Sequence, residues 1–146
     1  MTRVFRKVHS LAVFWLLVEA TLVVVAIKIA YQLPFRVFKK GFDWFIKPAS
    51  AVNYPLNRIH QTAWAVNAVS NRMPFAVVCL PRALSLKYLL RQDPRLHLKI
   101  GVRLQAGFAA HAWAAHAWVE LDGQIVIGDT PETYQSLWIW GEEPSN

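Results

Sequence analysis

The stretch "AAHAWVELDGQIVIGD", Ala114 to Asp129, decides the fold. Apolar Ala115, Ala117, Val119 and Leu121 alternate with His116, Trp118 and Glu120, which is the period of a half-buried strand. "QIVI" reads as a second strand. Asp122-Gly123 between them is a strong signal for a two-residue hairpin loop. Such a loop pairs Leu121 with Gln124, and the same register carried outward sets His116 opposite Asp129. Directly opposite side chains project to one face with Cβ atoms about 4.5–5.5 Å apart. Imidazole and carboxylate are thereby expected to be neighbours.

Upstream, "RLHLKIGVRL" (Arg95–Leu104) alternates in the same way, with Leu96, Leu98, Ile100 and Val102 on one face. Before it the period is helical. "PLNRIHQTAWAVNAVSN" (Pro55–Asn71) carries Leu56, Ile59, Ala63, Val66 and Val69 at helix spacing. "RMPF" interrupts that pattern, because Pro74 cannot continue the hydrogen-bond ladder. A second helix over "CLPRALSLKYLL" closes before Pro94. Pro81 is tolerated only in a first turn, so Cys79 sits at, or one residue before, the start of this helix. Downstream, Leu137–Trp140 adds a short further element. Helices come first and an antiparallel sheet follows: the fold class is α+β.

The cysteine's position has chemical content. A helix N-terminus offers partial positive charge and free N–H groups that stabilise a thiolate, and the same groups can receive an oxyanion. A histidine must then pair with the sulfur, and a third group must orient the histidine. His116 and Asp129 are the candidates for those two roles. A rival exists, because the phrase A-H-A-W occurs at Ala110–Trp113 and again at Ala115–Trp118. His111 and His116, five residues apart, fall on opposite faces of a strand and about 140° apart on a helix, so neither geometry suits a shared metal. No metal or cofactor is expected. His60 and His97 read as ordinary polar residues, and Arg82 as part of a solvated helix face.

Composition adds the first half of the chain. Of 146 residues, 55% are hydrophobic, and 16 Lys and Arg against 9 Asp and Glu give a formal charge of +7. Leu11–Ala30 is apolar except for Glu19, Thr21 and Lys28, and is long enough to span a bilayer. No clean amphipathic stripe is apparent, so the helix is expected to be buried nearly all round, in lipid or in protein. The run exceeds a usual signal-peptide core, and no small-x-small cleavage site follows it. The basic, aromatic "FRVFKKGFDWFIK" would sit at an anionic interface, with Phe35, Phe38, Phe42, Trp44 and Phe45 as anchors. Two units are expected: a hydrophobic, basic helical segment over 1–47, and the cysteine-bearing domain over 54–146. No basic-aromatic nucleic-acid module is present, so nucleic acid is not expected as a partner. The lone cysteine fits a reducing, cytoplasmic compartment, with membrane contact through residues 11–47.

"RMPFAVVCLPRALSLKYLL", then "LKIGV", then "AHAWVE" followed by "DG" and "GD", together resemble the transglutaminase-like cysteine peptidases of lasso-peptide biosynthesis. The closest likeness is to the stand-alone leader peptidase, which lacks a fused leader-binding domain. The ordered set, covering roughly Asn71 to Leu137, is specific although each motif alone is weak. The resemblance implies a transglutaminase-like or papain-like core and a Cys-His-Asp triad of Cys79, His116 and Asp129. It implies removal of the leader from a ribosomally made precursor peptide. It also implies two partners, a leader-recognition protein and an ATP-dependent cyclase resembling asparagine synthetase. Two features depart from the pattern: the tandem A-H-A-W, which keeps His111 in play, and Pro81 just after the cysteine. Three other readings compete: another acyl transferase or amidase on the same fold, a non-catalytic membrane-associated scaffold, and a small membrane protein with a soluble tail.

Overall fold

The computed structural model describes residues 2–104 and 113–142, with side chains over 10–103 and 114–142. Four helices precede four strands: α1 Thr2–Ala30, α2 Phe35–Phe45, α3 Leu56–Arg72, α4 Cys79–Leu89, β1 Leu96–Leu104, β2 Trp113–Leu121, β3 Gln124–Ile127 and β4 Gln135–Ile139. The α+β expectation holds. Both prolines act as punctuation: Pro55 is the N-cap of α3, and α3 stops at Met73, ahead of Pro74. The segment around Leu137 forms β4, antiparallel to β1.

The sheet order is β3-β2-β1-β4, antiparallel throughout. Leu96, Leu98 and Ile100 on β1 lie opposite Leu121, Val119 and Ala117 on β2. These residues form one face of the sheet and meet the helical layer, where Ile59, Val66, Leu84 and Leu86 are fully buried. Each such side chain taken from water contributes roughly 1.5–3 kcal/mol before entropy is charged against it. The other face carries Lys99 and Gly101 of β1 beside Trp118 and His116 of β2.

At the hairpin, Asp122 (φ 49°) and Gly123 (φ 83°) both take left-handed conformations, the signature of a type I′ turn. Leu121 pairs with Gln124 and Glu120 with Ile125, as the sequence implied. The register then slips by one residue, so that Val119 pairs with Ile127, and β3 ends there. The expected pairing of His116 with Asp129 is therefore not formed by the ladder. A bulge of this kind cannot be read from the turn residues, which fix register only locally.

Helix α1 packs Ala20, Val24 and Ile27 against the core, and Leu16, Leu17 and Val23 partly so. Its opposite face is bare, with Leu11, Phe14, Trp15, Leu22 and Ile29 each 59–66% exposed. One stripe of the helix thus meets protein, and the other meets no protein among the described residues. On α2, Phe38 and Phe42 are buried against Trp140 instead of serving as anchors, whereas Phe35, Trp44 and Phe45 remain exposed. Asp43 accepts a 2.7 Å hydrogen bond from the Trp140 indole, which fastens α2 to the end of the sheet.

Asp93 clasps the connections. Its fully buried carboxylate accepts from the Tyr54 N–H at 3.0 Å and from the Arg95 side chain at 2.7 and 2.9 Å. Burial alone pushes this carboxyl upward, but the hydrogen bonds from Arg95 and Tyr54 and the Arg95 charge outweigh it. The net direction is below the ordinary carboxylate value.

Candidate active site

Cys79 is the first residue of α4, half-buried and packed against the apolar core. Val78 before it is extended, and the first intrahelical bond runs from the Arg82 N–H to the Val78 carbonyl. Pro81, third in the helix, is fully buried and has no N–H to leave unsatisfied. No side chain caps this terminus. Among the described residues the N–H groups of Cys79 and Leu80 have no acceptor, so two donors stand at the sulfur's own end of the helix.

Arg82 has a structural task that its surface reading missed. Its guanidinium donates to Asn67 and Asn71 of α3, and to the carbonyl of Val77 at 3.3 Å. Lys28 of α1 donates to the neighbouring carbonyl, Ala76, at 2.9 Å. The two residues before Val78 are thus held from two sides, which fixes how the chain enters α4.

His116 lies on β2 with its ring stacked on Trp118 (6.0 Å between centroids) and 4.9 Å from the ring of Tyr134. Its Nε2 is 2.6 Å from the carbonyl oxygen of Gly128. A carbonyl only accepts, so Nε2 carries the hydrogen, and in the neutral ring the lone pair is on Nδ1. Gly128, not Asp129, therefore orients the imidazole. Gly128 is suited to this: its φ of +90° is left-handed, and a Cβ there would come within 2.8 Å of the Ala117 carbonyl and 2.9 Å of Trp118 Cβ. Asp129 follows it directly, beyond the end of β3. The cue was present in the "GD" after the strand, where the glycine carries the geometry. Tyr134, which the uninterrupted hairpin would have set opposite His111, instead meets His116. His111 lies outside the described residues.

The alternation of β2 also places His116 with Trp118 and Glu120, on the face away from Ala117, Val119 and Leu121. Helix α4 packs on the latter face. The structure brings His116 to Gly128, next to Asp129 in the chain, and assigns Cys79 to the other side of the sheet. Around His116 the face is aromatic and polar. Glu120 bonds Lys99 at 2.6 Å and the Trp118 indole at 2.7 Å. Burial pushes the Glu120 carboxyl upward, but Lys99 and Trp118 outweigh it and bring it below its ordinary value. His60 and His97 are exposed. No group of three metal-binding side chains occurs among the described residues.

Residues 29–138, most of the chain, match the model of the transglutaminase-like superfamily core. The protein belongs to the transglutaminase-like superfamily, which includes cysteine peptidases and acyl transferases. No curated protein and no solved structure matches it.

Proposed function

We propose that this protein is a cysteine peptidase that removes the leader from a lasso-peptide precursor. The observation that carries the reading is Cys79 at the uncapped start of α4 in a transglutaminase-like domain. The ordered motifs around it support the narrower assignment. In the first step the Cys79 sulfur attacks the carbonyl at the leader–core junction, and the Cys79 and Leu80 N–H groups receive the oxyanion. The C–N bond breaks as imidazolium returns a proton to the departing amine. Water, deprotonated by the imidazole, then releases the leader as its acid and frees the thiol. His116 is the base that the motif selects, with Nδ1 as its working nitrogen because Gly128 holds Nε2. Asp129 adds negative charge next to that carbonyl. Because His116 points away from α4, this pairing requires the end of β2 to rearrange so that the imidazole leaves Gly128 and turns toward α4. That fits an enzyme completed by a leader-recognition protein and its bound precursor, ahead of the ATP-dependent cyclase. His111, of opposite strand parity in the sequence, is the alternative base.

One observation favours a second reading. The engagement of His116 by Gly128, Trp118 and Tyr134, away from Cys79, is what a non-catalytic scaffold would show. Mass spectrometry of a precursor peptide incubated with this protein and its leader-recognition partner separates the two. The peptidase yields leader and core fragments that together weigh one water more than the precursor, and Cys79→Ser loses at least about a thousandfold in rate. Precursor left intact by wild type and Cys79→Ser alike points to the scaffold. Transfer of an added amine to the leader points to a transferase.

A further inference from the structure

The bare stripe of α1 is a feature that the site does not use. At about 100° per residue, Leu11, Phe14, Trp15, Leu22 and Ile29 fall within roughly one third of the helix circumference. They run for about 27 Å along it. Glu19 lies at one margin of this stripe, and Thr21 and Lys28 at the other. Both residues of the second margin are already satisfied, Thr21 by the Leu17 carbonyl and Lys28 by the Ala76 carbonyl. The opposite side of α1 is occupied by the protein's own core through Ala20, Val24 and Ile27. A helix fastened along one side to α3 and α4 cannot cross a bilayer without leaving them, although Ser10–Ala30 has the length and hydropathy to do so.

One groove adjoins the stripe at Leu22, and a second, lined by residues 36–47 alone, shares Val37 and Gly41 with it. One, about 560 Å³, runs between α1 and α2 and is apolar, lined by Leu22, Ala26, Leu33 and Phe45 among others. The second, about 750 Å³, carries Arg36, Lys40 and Lys47 against a single carboxylate, Asp43, which is already paired with Lys39. Nothing lies within 4 Å of a Cβ built on Gly41, so the passage between the grooves is open. An apolar slot next to a groove carrying three cations matches the chemistry of an anionic phospholipid, with its acyl chain in the first and its phosphate at the second. The exposed Phe35, Trp44 and Phe45 around α2 suit the headgroup boundary.

We propose that α1 and α2 dock this protein on an anionic bilayer. α1 lies in the membrane plane, a phospholipid phosphate sits among Arg36, Lys40 and Lys47, and an acyl chain fills the groove between the two helices. The surface does not depend on the reading of Cys79, and Cys79→Ala should bind vesicles as the wild type does. The test is sedimentation of the full chain with vesicles of phosphatidylcholine, alone or with phosphatidylglycerol. Binding should require phosphatidylglycerol and weaken as salt rises. Replacing Arg36, Lys40 and Lys47 together by Gln should weaken it roughly a hundredfold. Leu22→Glu should abolish the apolar contribution while circular dichroism and melting stay those of the wild type, since that side chain is bare. Equal binding to neutral vesicles, no binding to either, or release only by detergent would overturn the proposal. So would a lipid-free dimer that Leu22→Glu dissociates, which would assign the stripe to a second copy.

Discussion

Two glycines decide whether the ring of His116 can be where it is. Gly101 lies opposite His116 across the β1–β2 ladder. A Cβ on Gly101 would come 2.6 Å from the Gln135 carbonyl and 2.7 Å from the Trp118 ring. Trp118 therefore lies flat over β1 because Gly101 leaves room, and His116 stacks on Trp118 in turn. Gly101→Ala should destabilise the fold by about 1–3 kcal/mol, the range for an overpacked site. Most of the effect should appear in the environment of Trp118, so near-ultraviolet circular dichroism should change while far-ultraviolet signal below the melt does not. An unchanged melting temperature and near-ultraviolet spectrum would mean that the indole is not packed on Gly101. Both glycines lie in quoted motifs, "LKIGV" and "GD", but neither was read for the room it leaves. Gly101 hides in an alternating strand, and Gly128 stands next to the aspartate that drew attention as the third member of a triad.

Between elements, the sequence was read well where one residue type dictates geometry, and poorly where a long-range contact does. Pro55, Pro74 and Pro94 delimited α3 and α4, and Asp122-Gly123 placed the β2–β3 turn, because each restricts its own backbone. The one-residue slip between Glu120 and Val119 has no such local cause; it takes Asp129 out of register with His116, whose ring meets the Gly128 carbonyl instead. Arg82 was misread for the same reason: its acceptors on α3 lie 11 and 15 residues away. Asp93 is the clearest inter-element device. Asp93→Ala leaves the Tyr54 N–H and the Arg95 guanidinium without their acceptor and should cost about 1–3 kcal/mol. The sign of its pH dependence follows from its lowered carboxyl. The stabilising contribution is complete above the ordinary carboxylate range, near pH 4, and is lost as pH falls through the lower folded value. Acid unfolding followed by tryptophan fluorescence should therefore be less steep below about pH 4 in Asp93→Asn than in the wild type. Equal slopes would show that other carboxylates carry the acid transition.

At the scale of the molecule, a helical layer presents the start of α4 on one side of a four-stranded sheet, and an aromatic, polar face holds His116 on the other. The α+β layout and the cysteine at a helix start were legible because periodicity and proline placement are local properties. The division of the sheet into two faces was not, since it depends on which side the helices choose. It is also what makes the identity of the histidine the decisive question. Alkylation of Cys79 by iodoacetamide at about pH 6, where an ordinary thiol is almost wholly protonated and slow, addresses that question without a substrate. It is measured for the wild type, His111→Ala and His116→Ala, alone and with the leader-recognition partner and precursor. The account predicts that the wild type reacts at least about tenfold faster than free cysteine in the assembled state, and that His116→Ala alone returns to the slow rate. A fast rate lost only in His111→Ala would move the base to the first copy of the repeat and leave the nucleophile in place. Slow alkylation of all three proteins, with and without partners, would contradict the assignment of Cys79 as an activated nucleophile.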